Sequence, residues 1–409
     1  MEIGTFDVLC SFTQKIMRRI VWIITVFSVV SCGLEQVDVL PHSNTGGIWR
    51  GTSYGKYMSG CCYAAGIDYP ESYDWRADAD KGRVSPSIVL FADGIPVLKV
   101  PSGDRYEVSA DHLRHRILHG CLYTDYTDGR TTVIKKDGEE ILRYEGAEEV
   151  VSMLVTDQYV HTLSIPCDST GFTYRVNGTV VLKREAGTIE EELTVIDGEV
   201  CFCFSREQVF LAGTDMRYYI VSNGKVSMME FDEDLEELID VGLYDGGICV
   251  LAWVTDSNYP VLMKDGMRTP IAYFSRSDII SCGFMPAGQL CVRMRYKNPD
   301  SDMISDMLWY GDQELDRFGK GVIFSDVSIT GDTCGAVANP SGKRPGVVYI
   351  GMEEYEVPDD LYVYGEGCTV FIEGTFYVGL TSRSGQTAAI WRDNELKTLD
   401  LNGPVTCLQ

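Results

Sequence analysis

Eight times between residues 93 and 393 an apolar run breaks into a short polar turn, and these turns fall at nearly constant spacing. The markers are Asp93, Asp137, Asn177, Asn223, Asp265, Asp312, Gly351 and Asp393, at intervals of 44, 40, 46, 42, 47, 39 and 42 residues. Several read Asn-Gly or Asp-Gly, the pairs that fit a two-residue type I′ turn because both central positions need positive φ. A second turn falls about halfway between markers, at Asp197-Gly198, Asp245-Gly246 and Glu373-Gly374. Two hairpins per period make a four-stranded unit.

Four strands in some 40 to 47 residues predict the blade of a β-propeller. The expected fold is all-β, with eight four-stranded blades, or seven if one unit is degenerate. Composition agrees: Gly 41 against Pro 14, 23 Tyr, and no long stretch with apolar residues at helical spacing. Gly247 to Val254 is almost wholly apolar, as a strand covered on both faces should be. A solenoid would need a shorter coil and capping ends. The unit of Asp393 lacks a final strand, and the segment Ser59 to Gly66 resembles the missing piece. A last blade closed by the N-terminal strand would complete the ring and remove exposed sheet edges.

Residues 1–31 have the pattern of an export signal. Lys15, Arg18 and Arg19 precede an apolar run from Ile20 to Ser31, too short to span a bilayer. Val29-Val30-Ser31-Cys32-Gly33 resembles the lipobox of bacterial lipoproteins. That resemblance implies cleavage before Cys32, acylation of its thiol, and a protein tethered to a membrane of the cell envelope by lipid alone. Residues 32–56 then form a polar tether, and 57–409 the propeller. Met17-Arg18-Arg19 would be a more usual beginning for such a signal.

The formal charge is −25, and removal of the leader takes away three basic and two acidic groups. A body this acidic repels phosphate backbones, so nucleic acid is not an expected partner. Twelve cysteines follow Cys32, most of them inside apolar strands such as Val200-Cys201-Phe202-Cys203-Phe204. There they read as small buried hydrophobes more readily than as disulfides. No Cys-x-x-Cys or Cys-x-x-His accompanies them, so no zinc site and no cofactor is expected.

Other patterns are weak. His112, His115 and His119 would cluster on a helix, but the repeat register makes this stretch strand and turn, with His112 and His115 on opposite faces. No Gly-x-Ser-x-Gly is present, no carboxylate pair stands out, and Asp78 to Gly82 lacks the later ligands of a calcium loop. Asp168-Ser169-Thr170 resembles an O-glycosylation sequon of Bacteroidota, a short and permissive pattern. The loop Asp68 to Arg76 departs from the repeat and carries Tyr69, Tyr73 and Trp75 in polar company. Such aromatics can stack on sugar rings, anchor a protein partner, or pack on an adjacent blade. These three are the candidate ligand-binding residues. Trp309 and Trp391 stand inside marker strands and are expected in the core.

With its Trp-Arg-Asp-Asn and Lys-Asp-Gly hairpins, the chain resembles the divergent propeller lipoproteins of Bacteroidota; it has neither the Trp-Asp run of WD40 repeats nor regular kelch doublets. The resemblance implies a fold and no activity. The expected function is a monomeric, membrane-tethered binding or scaffolding module for a protein or glycan. The alternative is a polysaccharide-active hydrolase or lyase with its site at the central channel.

Overall fold

The computed structural model describes residues 60–70, 86–101 and 115–409, the last span apart from 128–129, 157–158, 168–170, 197, 211–212, 230–234, 245–246, 256–258, 265, 272–275, 286–288, 298–302, 311–312, 316–320, 341–344, 352, 359 and 385–386. The leader, Cys32, the tether, Tyr73, Trp75, the Asp78 to Gly82 stretch, His112 and the Asp168 sequon lie outside the described residues.

The chain folds into eight antiparallel sheets forming an eight-bladed β-propeller, as the repeat predicts. Blades 2 to 8 occupy residues 115–145, 148–184, 188–228, 235–270, 279–315, 326–357 and 361–399, each built in chain order from its innermost strand outward. Blade 1 is made from both ends. Tyr63–Asp68, Ser87–Ala92 and Ile95–Pro101 supply its outer three strands, and Val405–Leu408 supplies the innermost, with Ala64 opposite Leu408 and Ala65 opposite Cys407. The ring is thus closed between the Cys61 region and the C-terminal segment. The two ends meet in the first blade, because the unit of Asp393 already has its positions filled. Its innermost strand is split into Leu361–Tyr362 and Thr369–Ile372, both paired with Thr375–Ser382.

The marker residues do what their chemistry suits. Asp93, Asp137, Asn177, Asn223 and Asp393 sit at φ between 46° and 51°, and Gly351 at 55°. Short polar side chains tolerate this left-handed region best after glycine. The side chain has a second task. Oδ1 of Asp93, Asp137, Asn177 and Asn223 accepts the amide of Cys62, Leu122, Val160 and Val200 respectively, at 2.8 to 3.2 Å. The marker's own amide donates to the carbonyl of that same residue. These four markers therefore turn the third strand into the fourth and pin the turn to the start of the second.

The apolar side chains gather into eight clusters, one at each seam between neighbouring blades. Period-two alternation feeds two seams from one strand. Phe202 and Phe204 pack toward blade 3, while Cys201 and Cys203 between them pack toward blade 5. This is why small apolar residues recur in the second strands: each seam must fill a narrow space between two sheets. Burial pushes the thiols of Cys62 and Cys334 up to about 12, and the twelve described cysteines are all free. Trp391 is fully buried at the seam of blades 7 and 8, and Trp309 is buried between blades 5 and 6.

Candidate functional site

Strand direction divides the ring into two unlike faces. Within an antiparallel blade the links from first to second strand and from third to fourth emerge at one end; the links from second to third, and on to the next blade, emerge at the other. The first end carries the tight turns, among them Asp93-Gly94, His119-Gly120, Asp137-Gly138, Asn177-Gly178, Asn223-Gly224 and Glu373-Gly374, all at positive φ. The second end carries the longer connections. The two longest stretches of sequence between described strands, 69–86 within blade 1 and 102–114 between blades 1 and 2, fall at this end.

The 69–86 connection leaves the ring at its closure. Tyr69 is 3% exposed, and its amide donates to the carbonyl of Asn402. Asn402 Nδ2 returns bonds to the carbonyls of Tyr69 and Pro70 at 3.1 and 3.0 Å, and its amide donates to Asp68 Oδ1. Gly403 runs so close behind that a Cβ there would stand 2.1 Å from the carbonyl oxygen of Ile67. The ring of Tyr69 is therefore enclosed at the base of the loop, and Tyr73 and Trp75 follow it in the chain.

Around the axis, polar groups join one blade to the next. His115 Nε2 shares a 2.5 Å hydrogen bond with Thr406 Oγ1 between blades 2 and 1. Arg116 reaches the carbonyl of Val150, and Ser152 Oγ accepts the amide of Leu193. Asp240 accepts the amide of Phe284, Asp306 that of Phe324, and Asp326 the hydroxyl of Thr369. Thr381 Oγ1 takes the amide of Val405, so the closing strand is tied to blade 8 as well as to blade 1.

Several of these groups are titratable and perturbed. Burial raises the Asp326 carboxyl to about 6, opposed by its bonds from Thr369 and from backbone amides. Burial raises Asp240 too, against the amides of Phe284 and Val241. His161, hydrogen-bonded to the Tyr174 hydroxyl at 2.8 Å, is pushed down to about 4 by burial. Perturbed groups often mark active sites, but structural networks perturb them as well. Here both Asp326 oxygens are engaged, Oδ1 by the amide of Val327 next to it and Oδ2 by Thr369 of the following blade, and His119 Nε2 bonds the carbonyl of Val155. Among the described residues no group of three or more His, Cys, Asp or Glu is placed to hold a metal ion.

Sequence reading missed these seam bonds, and with them the buried pair of Glu148 and Arg175. The one trace it offers is a charge in an apolar strand, as in Phe172-Thr173-Tyr174-Arg175-Val176 or Ile304-Ser305-Asp306-Met307-Leu308.

No family model matches the chain, and no curated protein does. Among solved structures it is similar to the dihydro-heme d1 dehydrogenase NirN in complex with DHE, at 11% identity over 84% of this chain and 74% of that one, TM-score 0.49. It is also similar to the β-propeller domain of the Trilobed protease from Pyrococcus furiosus, at 11% identity over 69% and 93%, TM-score 0.40. A quinonprotein alcohol dehydrogenase-like protein from Bacteroides thetaiotaomicron VPI-5482 aligns at 11% identity over 85% and 91%, TM-score 0.38.

Proposed function

We propose that the propeller is a binding or scaffolding module, held to a membrane of the cell envelope through lipid on Cys32, that takes a protein or glycan on its looped face. The observation that carries this reading is the inequality of the two faces. One end of the ring carries tight turns, and among the described residues Asp93, Asp137, Asn177 and Asn223 commit their side chains there to the blade itself. The other end collects the connections free to differ from blade to blade, and loops set on a rigid scaffold are where recognition residues concentrate. Asn402 fixes Asp68, Tyr69 and Pro70, from which the chain leads on to Tyr73 and Trp75.

The experiment is a glycan array and a cross-linking pull-down on the full chain in detergent, beside Tyr73→Ala and Trp75→Ala. A ligand whose binding drops tenfold or more in either variant supports the reading. Equal binding by both variants removes the loop from it, and turnover of any polysaccharide replaces binding by catalysis. The anchor is tested separately: Cys32→Ser should leave the leader uncleaved and abolish lipid labelling.

A further inference from the structure

The seam between blades 2 and 3 differs from the others in chemistry. Its apolar part, with Tyr123, Ile134, Val155 and Val160, covers only a portion of the facing sheets. The rest is polar and buried. Arg175 makes two hydrogen bonds to the Glu148 carboxylate, the one from Nη2 at 2.8 Å, and Ser164 Oγ donates to the same carboxylate. The Arg175 guanidinium lies 4.2 Å over the ring of Tyr144 from blade 2. Thr132 of blade 2 exchanges two hydrogen bonds with the backbone of Glu148.

Four atoms of this layer have no partner: Arg175 Nε, Tyr144 Oη, Thr162 Oγ1 and Thr173 Oγ1. Their residues are 5%, 9%, 0% and 0% exposed. Among the described residues these are the buried side-chain polar atoms left without a hydrogen bond, and they fall together. Thr162 stands directly opposite Arg175, and Thr173 opposite Ser164, on adjacent strands. Paired residues, and residues two apart, share a sheet face. All four of these side chains therefore lie on the face turned toward blade 2, while Leu163 and Tyr174 face blade 4.

Leaving such groups bare is costly, and in folded proteins they are met by partners or by ordered water. Charge selects the partner. An anion would face the carboxylate of Glu148, a cation the guanidinium of Arg175, and both charges already neutralise each other. A neutral molecule that both accepts and donates fits the one donor-only atom and the three hydroxyls. We infer that the seam of blades 2 and 3 is a binding site for one or two structural waters, each making about three hydrogen bonds, and that these waters join Arg175, Tyr144, Thr162 and Thr173 across the blades.

The test turns on sign. Thr162→Val and Thr173→Val keep the β-branched shape and delete the hydroxyl. In a dry seam each removes an unpaired buried hydroxyl and raises the thermal unfolding midpoint. In a hydrated seam each removes a bond to water, so the double variant melts lower by several degrees and loses at least one long-lived internal water, counted by ¹⁷O magnetic relaxation dispersion on the full chain. A midpoint at or above that of the parent, or an unchanged water count, overturns the inference. Should the double variant not fold, a crystal structure of the parent decides: an ordered water within hydrogen-bond reach of Arg175 Nε supports the site, and direct van der Waals closure around that atom overturns it.

Discussion

Oδ1 of Asp137 accepts the amide of Leu122 at 2.8 Å while the amide of Asp137 donates to the carbonyl of Leu122 at 2.7 Å, a two-way clasp across the top of blade 2. Replacing Asp137 by Ala removes the side-chain half of the clasp and places a poor left-handed former at φ 51°. We expect a loss of about 2 kcal/mol, from one hydrogen bond and the backbone cost together. Asn, which serves at the matching positions 177 and 223, should cost under about 0.5 kcal/mol. Urea unfolding of the two variants checks the ranking.

The period of the fold was legible because this clasp demands a residue type. A left-handed turn favours Asp, Asn or Gly, and among the described residues the clasp writes that preference at Asp93, Asp137, Asn177 and Asn223. Ring closure was half legible. Tyr63–Asp68 and Val405–Leu408 are both short apolar strands, and only their pairing register reveals that they share blade 1. Pairings such as Glu148 with Arg175, 27 residues apart on different strands, leave no local pattern. The candidate loop is the least legible part, since Tyr73 and Trp75 sit where the repeat imposes nothing.

Gly403→Ala should damage the closure. Its Cβ would meet the carbonyl oxygen of Ile67 at 2.1 Å, and backbone cannot yield as a flexible side chain does. Overpacking of this kind costs about 1–3 kcal/mol. Hydrogen exchange should show the loss first in Tyr63–Asp68 and Val405–Leu408.

Asp326 should make stability fall as pH rises. Its folded-state value of about 6 lies above that of the unfolded chain, so between about pH 4 and 6 the folded protein holds a proton that the unfolded chain has released. The penalty is complete above pH 6 and amounts to roughly 1–3 kcal/mol. Relative to the parent, Asp326→Asn should gain that amount between pH 4 and pH 7, whatever its constant offset. Denaturant titrations at the two pH values measure it.

His161 acts with the opposite sign over nearly the same window. Its folded-state value of about 4 lies below that of unfolded histidine, near 6.5. The stability it permits is present above about pH 6.5 and is lost as pH falls toward 4, on the order of 1–3 kcal/mol. His161→Gln should remove that acid loss and leave the opposite slope of Asp326 uncompensated. With both residues in place the parent profile should be flatter between pH 4 and 6 than either single variant.

The closing strand joins the two ends of the chain. Thr406 reaches back to the carbonyl of Ala65 across 341 residues of chain, and blades 2 to 8 lie between them. The entropy of shutting so large a loop grows only with the logarithm of its length, each doubling adding about 0.6 kcal/mol, so the equilibrium cost is modest. The cost in time is larger, because contacts this distant in sequence slow folding. Blade 1 is complete only with Val405–Leu408, and a force that peels those four residues away leaves the circle held at that join by the Asn402 bonds and by the apolar seam of blades 8 and 1.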